Sequence, residues 1–480
     1  MRSFNFFRLI VLILLTTPLN LSLNAQSSID TTKVDSVMEA GMKKYRIPGA
    51  TIGIFHKDEL IKVSAYGLAD IQNKAPIMGQ TSFELASISK QFTATAILLL
   101  QQRGRLNLDD PISKHFPEAP QNWNAIKIKH LLWHTSGLPG MFPRDKFMSP
   151  GFSGYKKMTS EELDLMMQTN TISKKNSIQS IITDTLDFEP GEYYNYSDVG
   201  YLVLGLIIDN ITGSYNDFLT EELFQPLEMN NTYFLQQEAV INYQARGYSL
   251  KNGDWINIMR YWDYEIPSFF GAFSNINDLY LWDKALNNHS ILNKESTQLL
   301  FSKGILNNGS TIDYGCGWQI NDINGMRIIQ HGGITGVNYI KIPSQEISVV
   351  TLTNLGYNGN DIVESLNITP EIVSAIGIDM QTNKNHVTTT GAKVIKTKKS
   401  EVKKITGKYI TIGNVEAEIQ VKNDIPIFVC AEQDMKNEMA LLSDGSWLVL
   451  GLNFEYILTF DSSKKTLTSN YNREFHPVSK

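Results

Sequence analysis

Strand-like segments at both ends of one long region constrain the fold of this chain most. Each segment has the apolar run, or the alternation of apolar and polar residues, that is typical of a β-strand. The segments are residues 48–55, 60–66, 326–330, 337–342 and 347–353. A sheet that takes strands from both ends of residues 31–379 encloses everything between them in one domain.

Helical patterns accompany those strands. Residues 32–44, 87–103 and 275–285 place apolar side chains at helical spacing, and a capping box at residues 159–162 indicates the start of another helix. We therefore predict an α/β (α+β) fold, in which an antiparallel sheet is flanked by helices and carries a mostly helical subdomain. The pattern of residues 141–187 predicts no particular arrangement.

The sequence changes character after residue 379. Residues 380–404 are rich in Thr, Lys and Asn and poor in apolar residues, which is typical of a linker. Residues 405–480 contain short alternating segments that are separated by turn residues. They therefore predict a small all-β C-terminal domain that resembles a barrel.

The first residues have the pattern of a signal peptide. Arg2 and Arg8 are followed by a short apolar run at residues 9–15, and cleavage after Ala25 fits the small residues there. The run is shorter than the roughly 20 residues that span a bilayer, although an uncleaved anchor is the alternative. We expect a bacterial periplasmic or secreted protein, with residues 1–25 removed and no stable membrane span afterwards.

Charge and composition disfavour several other functions. The net charge is -6, and Lys and Arg are scattered, which argues against a nucleic-acid partner. The eight His residues are dispersed, and no metal-ligand spacing or glycine-rich phosphate loop is present, so we expect no metal and no cofactor. Cys316 and Cys430 are the only cysteines. We favour two buried thiols, while a disulfide between them remains open.

Four serines are followed by a lysine three residues later, and this spacing has a chemical use. The four are Ser87, Ser153, Ser400 and Ser462. On a helix, side chains three residues apart lie on one face. A lysine whose pKa is lowered by its surroundings can accept the proton of the serine hydroxyl, and the start of a helix favours the developing negative charge.

The local sequence distinguishes these serines. Ser400 and Ser462 lie in a lysine-rich stretch and in a polar turn, and Ser153 lies in a loop containing Pro and Gly. Ser87 alone begins a strongly apolar helical run. From this pattern, Ser87 fits either a nucleophile with Lys90 as its base or the N-cap of a helix.

The segment around Ser87 resembles the nucleophile segment of the serine β-lactamase-related hydrolases. This family includes class C β-lactamases, DD-peptidases, D-aminopeptidases and esterases. Segments in the family's order extend the resemblance over residues 31–379; they are 48–49, 67–70, 131–139, 190–201, 313–318 and 331–333. The resemblance implies a serine hydrolase in which Ser87 forms an acyl-enzyme and Lys90 manages its proton.

Two tyrosines compete for the family's second motif, Tyr-x-Asn. Tyr193 matches it literally, but the family's longer pattern aligns Tyr196 with the catalytic tyrosine and Asp198 with the usual asparagine. The resemblance implies that Tyr196, its pKa lowered near Lys90, passes protons between nucleophile and leaving group. Asp198 cannot donate a hydrogen bond to substrate when ionised, and it favours the protonated form of Lys90.

The family's third motif corresponds to His331-Gly-Gly333. The resemblance places it on the strand beside the active site, where Gly333 lets a substrate backbone approach. His331 is expected there as a donor whose charge switches near neutral pH. The resemblance also implies an oxyanion hole made by the backbone N–H groups of Ser87 and Ile334. His134 lies in a turn with Gly and Pro and is interpreted as structural.

The resemblance as a whole implies acyl transfer without a cofactor. The expected partner is a small-molecule or short-peptide substrate with an amide or ester bond, as in DD-peptidases, D-aminopeptidases or esterases. Efficient β-lactam turnover is less expected, because histidine replaces the lysine of the β-lactamase motif. A β-lactamase and a non-catalytic binding protein that retains the fold remain the alternatives, and the sequence identifies no protein partner.

Overall fold

The computed structural model describes most of the chain from residue 29 onwards. The described residues are 29–117, 119–139, 171–172, 174, 181, 186–234, 240–251, 254–257, 263–355, 368–382, 392–411, 416–430, 435–450, 457–469 and 474–478. The predicted signal peptide, Ser153 and the helix predicted to begin at residues 159–162 lie outside them.

The α-helices confirm the predicted helical segments in the described part of the chain. They are α1 (Val34–Tyr45), α2 (Lys90–Gln102), α3 (Ile128–Leu132), α4 (Asp198–Thr212), α5 (Tyr215–Leu219), α6 (Ile276–Asn288), α7 (Lys294–Leu300), α8 (Ile368–Ala375) and α9 (Lys399–Ile405). Short 3₁₀ turns cover Ala86–Ser89, Ile112–His115, Gln121–Ala125 and Pro343–Gln345, and a π-helical turn covers Thr220–Phe224. None of the described helices combines the length and apolar character needed to cross a bilayer.

The strands fall into two main groups, one in the sheet domain and one near the C-terminus. They are β1 (Gly49–His56), β2 (Glu59–Asp70), β3 (Ala75–Pro76), β4 (Phe83–Glu84), β5 (Thr171–Ile172), β6 (Tyr233–Phe234), β7 (Tyr248–Lys251), β8 (Asp254–Asn257), β9 (Asp263–Tyr264), β10 (Ala272–Ser274), β11 (Gln319–Ile323), β12 (Met326–Gly333), β13 (Val337–Ile342), β14 (Ile347–Thr353), β15 (Gly407–Thr411), β16 (Glu416–Lys422), β17 (Ile425–Cys430), β18 (Met435–Leu441), β19 (Trp447–Val449), β20 (Ile457–Asp461), β21 (Thr466–Ser469) and β22 (Glu474–Pro477).

The central sheet joins the two ends of the predicted domain. Its strand order is β11-β12-β13-β14-β1-β2-β3. Strand β1 pairs antiparallel with β14, with Ala50 opposite Thr353. Lys57 and Asp58, which connect β1 to β2, both have positive φ, of 52° and 58°, as the tightest hairpin turns require. The predicted antiparallel sheet with strands from both ends is therefore confirmed.

Both faces of this sheet are covered. Strand β13 shows the alternation, because Tyr339 belongs to one core and Ile340 to the other. The first core includes side chains of α2, α4 and α6, and the second includes side chains of α1 and α8. This double burial explains why β1 and β14 are almost entirely buried along their length.

Helix α2 lies inside the first core. All of its residues from Lys90 to Leu100 are buried, so it is enclosed on every side. Ser268 connects it to α4: the Thr93 hydroxyl donates to the Ser268 carbonyl, and the Ser268 hydroxyl donates to the carbonyl of Tyr201. Helices α2 and α4 are thereby held at fixed positions, and both begin at the candidate site.

The C-terminal strands β15 to β22 form a closed barrel, which confirms the predicted all-β domain. The barrel core contains large apolar side chains such as Phe428 and Trp447, together with Val402 and Ile405 of helix α9. Helix α9 begins within the predicted linker 380–404 and ends one residue beyond it, and the Ile395 N–H donates to the carbonyl of Leu441 in β18. The exact domain boundaries remain a prediction.

The two cysteines lie in different cores. Cys316 belongs to the first core of the sheet domain, and Cys430 belongs to the barrel core. Both are free and buried. The favoured prediction of two buried thiols is therefore confirmed, and the alternative of a disulfide between them is wrong.

Candidate active site

Ser87 lies on a tight turn that leads into helix α2. The 3₁₀ turn covers Ala86–Ser89, and the α-helix begins only at Lys90. The Ser87 hydroxyl oxygen accepts a hydrogen bond from Lys90 Nζ at 3.1 Å. Ser89, the residue at the N-cap position, accepts instead from the Ala272 N–H of strand β10. The alternative of Ser87 as the N-cap is therefore wrong, because its hydroxyl faces Lys90.

Residues 84–89, called the serine turn below, are held in a strained conformation. Ala86 has a φ of 46°, in the left-handed region that an alanine rarely adopts. The Thr335 hydroxyl donates to the carbonyl of Glu84 at 2.9 Å, which fixes the start of the turn. Strain of this kind persists only where the surrounding structure enforces it.

Two glycines allow close packing around Ser87, Gly333 beside the serine turn and Gly317 beside the start of helix α2. A Cβ at Gly333 would lie 2.7 Å from the Leu85 carbonyl oxygen. A Cβ at Gly317, whose φ is 77°, would lie 2.7 Å from the carbonyl oxygen of Lys90. Gly333 therefore allows the serine turn to pack closely against strand β12, in addition to the approach of a substrate backbone that the sequence predicts. Gly317, in the segment 313–318, allows the start of helix α2 to pack equally closely.

Lys90 is the buried centre of the site. Its side chain is 0% exposed, and besides Ser87 it donates to the carbonyl oxygen of Phe269 at 2.8 Å. Its Nζ lies 2.7 Å from Asp198 Oδ1. Burial lowers the pKa of Lys90, and the negative charge of Asp198 opposes that decrease. The expected contact between Lys90 and Asp198 is thus present.

The start of helix α4 positions Asp198 and Tyr196. Ser197 is its N-cap: the Ser197 hydroxyl accepts from the Gly200 N–H at 3.0 Å and donates to the Pro139 carbonyl at 2.7 Å. Asp198 is the first helical residue, where the helix dipole stabilises a carboxylate. A short capped turn therefore brings the two side chains of this motif to Lys90.

Tyr196, and not Tyr193, lies beside the lysine. Lys90 Nζ is 4.9 Å from the centre of the Tyr196 ring, whereas Tyr193 is 44% exposed. The pKa of Tyr196 is raised, first by burial and then by the charge of Asp198, while the Ser87 hydroxyl opposes the increase. The expectation of a lowered pKa is therefore wrong, because burial and the charge of Asp198 raise the pKa of Tyr196 and keep its phenol protonated.

His331 differs from its predicted role. Its Nδ1 lies 2.8 Å from the Gly332 carbonyl and its Nε2 lies 2.9 Å from the Tyr314 hydroxyl, so both ring nitrogens have partners within the protein. Burial lowers the pKa of His331 to about 3, and the charge of Lys90 adds to the decrease. The predicted switch of charge near neutral pH is wrong, because a buried neutral imidazole does not titrate there.

His134 holds the motif in place, in agreement with its structural interpretation. Its Nδ1 accepts from the Ser197 N–H at 3.0 Å, and its carbonyl accepts from the Asn195 N–H at 2.9 Å. Its ring lies 4.3 Å from the Tyr196 ring, centre to centre. Burial keeps its pKa well below the usual value, with Lys90 contributing in the same direction. The segment around His134 therefore fixes the turn that presents Tyr196 and Asp198.

The structure thus brings Ser87, Lys90, Tyr196 and Asp198 together, with Gly333 and Ile334 beside the serine turn. The sequence did not indicate the carbonyl of Phe269 as a partner of Lys90, because that contact comes from a distant loop. Among the described residues, no group of three or more His, Cys, Asp and Glu side chains could hold a metal ion. The roles of the individual residues, including the oxyanion hole at Ser87 and Ile334, remain predictions.

A family model described as Beta-lactamase matches residues 34–369 of the chain. Protein flp of Staphylococcus aureus strain MW2 is 32% identical over 341 residues, which cover 67% of this chain and 63% of that protein. The chain therefore spans less than two thirds of the length of that relative. Ser87, Tyr196 and His331 lie within the residues that the family model matches.

Two solved structures share the fold. The octameric penicillin-binding protein homologue from Pyrococcus abyssi has a TM-score of 0.59 at 22% identity, covering 93% of this chain and 100% of that one. EstCE1, a hydrolase with promiscuous acyltransferase activity, has a TM-score of 0.57 at 22% identity, covering 70% of this chain and 97% of that one. At these identities the likeness establishes the fold alone.

Proposed function

The chain belongs to the beta-lactamase family of serine acyl-enzyme hydrolases, and from this premise we propose that it hydrolyses amide or ester bonds through a Ser87 acyl-enzyme. The observation that carries the proposal is the partly buried hydrogen bond of 3.1 Å between Lys90 Nζ and the Ser87 hydroxyl. A nucleophile within hydrogen-bond reach of a base is the arrangement that covalent catalysis requires.

Acylation begins when the Ser87 oxygen attacks the carbonyl carbon of the substrate. Its proton passes to neutral Lys90, and the lowered pKa of Lys90 supports this role because less free energy is needed to remove the proton from the ammonium. The backbone N–H groups of Ser87 and Ile334 stabilise the oxyanion in this proposal. The bond to the leaving group then breaks, and the acyl group stays on Ser87.

Tyr196 delivers the proton to the leaving group. Its raised pKa keeps the phenol protonated in the resting site, so it has a proton to donate. In this proposal, the proton that Lys90 took from Ser87 then replaces it on the phenol. A water molecule then attacks the carbonyl carbon of the acyl-enzyme, and neutral Lys90 accepts its proton. The bond between the acyl carbon and the Ser87 oxygen breaks, Lys90 returns the proton to that oxygen, and the product acid leaves. The step needs no cofactor.

The expected substrates are small peptides or esters. A DD-peptidase, a D-aminopeptidase and an esterase all use this acyl transfer, and a β-lactamase or a non-catalytic binding protein are the alternatives. The test is a chromogenic panel of p-nitrophenyl butyrate, a D-alanyl p-nitroanilide and a cephalosporin. We expect turnover of at least one member, loss of that turnover in Ser87→Ala, and no loss in Ser462→Ala.

The Ser462→Ala variant is a matched control, because Ser462 also precedes a lysine by three residues but is exposed in a turn of the barrel. Hydrolysis of the cephalosporin alone would favour the β-lactamase. The absence of turnover of every member by the unmodified protein would favour the binding protein and contradict the proposal.

Export is part of the proposal and is supported by the N-terminal sequence pattern alone. Cleavage after Ala25 leaves Gln26 as the first residue of the mature protein. The mass of the protein recovered from the periplasm or the medium should match a chain that begins there. Recovery of the full chain from the cytoplasm only would contradict export.

A further inference from the structure

The charges around Lys90 bear on which substrates the site accepts. The titratable side chains that interact with Lys90 in the described residues include Asp198, Tyr196, His134 and His331. Burial keeps both histidines neutral and the tyrosine protonated. Asp198 is therefore the source of negative charge in this group, and Lys90 is the source of positive charge.

The ion pair does not stay neutral during the reaction. While Lys90 carries its proton, its charge balances that of Asp198 across 2.7 Å. Acylation as proposed above requires neutral Lys90, and in that state the charge of Asp198 is no longer balanced. The Asp198 side chain is also 21% exposed, so its field reaches a bound substrate with less screening than in bulk water.

Two basic side chains of the described residues, those of His331 and Lys303, already have partners within the protein. Both ring nitrogens of His331 lie within hydrogen-bond distance of Gly332 or Tyr314. Lys303, from the segment that precedes Tyr314, pairs with Asp313 at 2.6 Å and with Asp322 at 3.1 Å. Neither side chain is available, in this structure, to hold a substrate anion.

An exposed apolar side chain borders the serine turn. Ile334 is 49% exposed, although its neighbours are held in place. On one side Gly333 lies against Leu85, and on the other Thr335 donates to the carbonyl of Glu84. An exposed isoleucine at a fixed position next to the nucleophile offers contact to an apolar group of a substrate.

We propose that Asp198 is a specificity-determining residue, which makes the site prefer substrates without a carboxylate near the scissile bond. This inference rests on the proposed function and deepens it, because it selects uncharged or positively charged esters and amides among the possible substrates. When Lys90 is neutral, the carboxylate of Asp198 repels an anionic substrate. An apolar acyl chain instead packs against Ile334.

The test uses three p-nitrophenyl esters whose acyl chains have the same length. The butyrate ends in a methyl group, the hemisuccinate in a carboxylate and the β-alanine ester in an ammonium group. We expect kcat/KM for the hemisuccinate to be about tenfold or more below that for the butyrate at low ionic strength, and no such loss for the β-alanine ester. Salt should reduce the difference.

The variant Asp198→Asn tests whether Asp198 causes the discrimination between the butyrate and the hemisuccinate. Each comparison is a ratio of two substrates within one variant, so an effect of the substitution on Lys90 that is common to all substrates cancels. We expect the ratio of butyrate to hemisuccinate to fall at least about threefold in Asp198→Asn. Asp254→Asn, which removes one exposed carboxylate from strand β8, is the matched control and should leave the ratio unchanged.

The outcomes separate this inference from the proposed function. Equal turnover of all three esters, or a ratio that Asp198→Asn does not change, would overturn the role of Asp198 while hydrolysis that depends on Ser87 still stands. Turnover of no ester by the unmodified protein, or turnover that survives Ser87→Ala, would contradict the hydrolase itself, and the inference would fail with it.

Discussion

Two lysine–aspartate pairs of the sheet domain have a buried lysine but differ in what surrounds the aspartate. Lys341 Nζ lies 2.5 Å from Asp283 Oδ1, and both side chains are 4% exposed. Lys90 Nζ lies 2.7 Å from Asp198 Oδ1, but there the lysine is 0% exposed and the aspartate 21% exposed. The first pair connects strand β13 to helix α6, and the second connects the starts of helices α2 and α4.

The other hydrogen-bond partners of each pair explain why one pair is enclosed and the other is partly exposed. Asp283 also accepts hydrogen bonds from Tyr339 and Ser348, and Lys341 also donates to Asn287, so the first pair is enclosed by the protein. In the second pair Lys90 also donates to the Ser87 hydroxyl. A pair enclosed by its own side chains contributes to holding the fold, whereas a pair beside a reactive hydroxyl and partly open to solvent can take part in proton transfer.

The largest expected effect comes from removing the lysine of the Lys90–Asp198 pair, called the open pair below. Lys90→Met should lower kcat/KM by about a thousandfold or more, because the Ser87 proton loses its acceptor. Turnover of the best substrate in the chromogenic panel measures this loss. Lys341→Met is the matched control, and its folded fraction should keep kcat/KM within about tenfold of the unmodified protein. Comparable losses of kcat/KM in the two variants would remove the distinction between the pairs.

The next effect concerns stability, where we expect the larger loss in Lys341→Met and the smaller loss in Lys90→Met. Lys341→Met should lower the free energy of unfolding of the sheet domain by about 3–5 kcal/mol, because it leaves Asp283 buried without its counter-charge. The double variant Lys341→Met with Asp283→Leu should regain most of that loss, since no unpaired charge remains. Urea unfolding followed by the fluorescence of buried tryptophans measures both.

Lys90→Met is the control for the loss of stability expected in Lys341→Met. Lys90→Met should destabilise the domain less than Lys341→Met, because the 21% exposed carboxylate of Asp198 stays partly hydrated and begins a helix. An equal or larger loss of stability in Lys90→Met would show that the open pair also serves mainly to hold the fold.

The smallest effect is a shift of the pH–rate profile. Asp198 raises the pKa of Lys90 against the decrease caused by burial. In Asp198→Asn this contribution is absent, so Lys90 loses its proton at lower pH than before. Because the proposed base is neutral Lys90, the acid limb of the kcat/KM profile should move to lower pH. A profile that does not move would remove Asp198 from the catalytic network.

Local patterns predicted much of this arrangement. The apolar spacing after Ser87 indicated the helix that contains Lys90, and the strand patterns at the two ends of the region indicated the pairing of β1 with β14. The register of the second motif favoured Tyr196 over Tyr193, and the structure places Tyr196 at Lys90. These features depend on spacing along the chain, which a single sequence displays directly.

The sequence did not indicate how deeply the side chains of His331 and Tyr196 are buried, so their pKa values were predicted wrongly. His331 was expected to titrate near neutral pH, but Tyr314 and Gly332 occupy its nitrogens and burial keeps it neutral. The pKa of Tyr196 was expected to fall, yet burial and Asp198 raise it. Both errors have one cause. The free energy of desolvation depends on contacts between segments that are distant in the sequence, and a short motif does not indicate those contacts.

The most direct test of the central claim is to map the residue that reacts with a fluorophosphonate probe. The account predicts a single phosphonyl adduct on the peptide that contains Ser87, lost in Ser87→Ala and strongly slowed in Lys90→Met, with Lys341→Met still labelled. An adduct on another serine, or labelling that persists in Ser87→Ala, would contradict the assignment of Ser87 as the nucleophile.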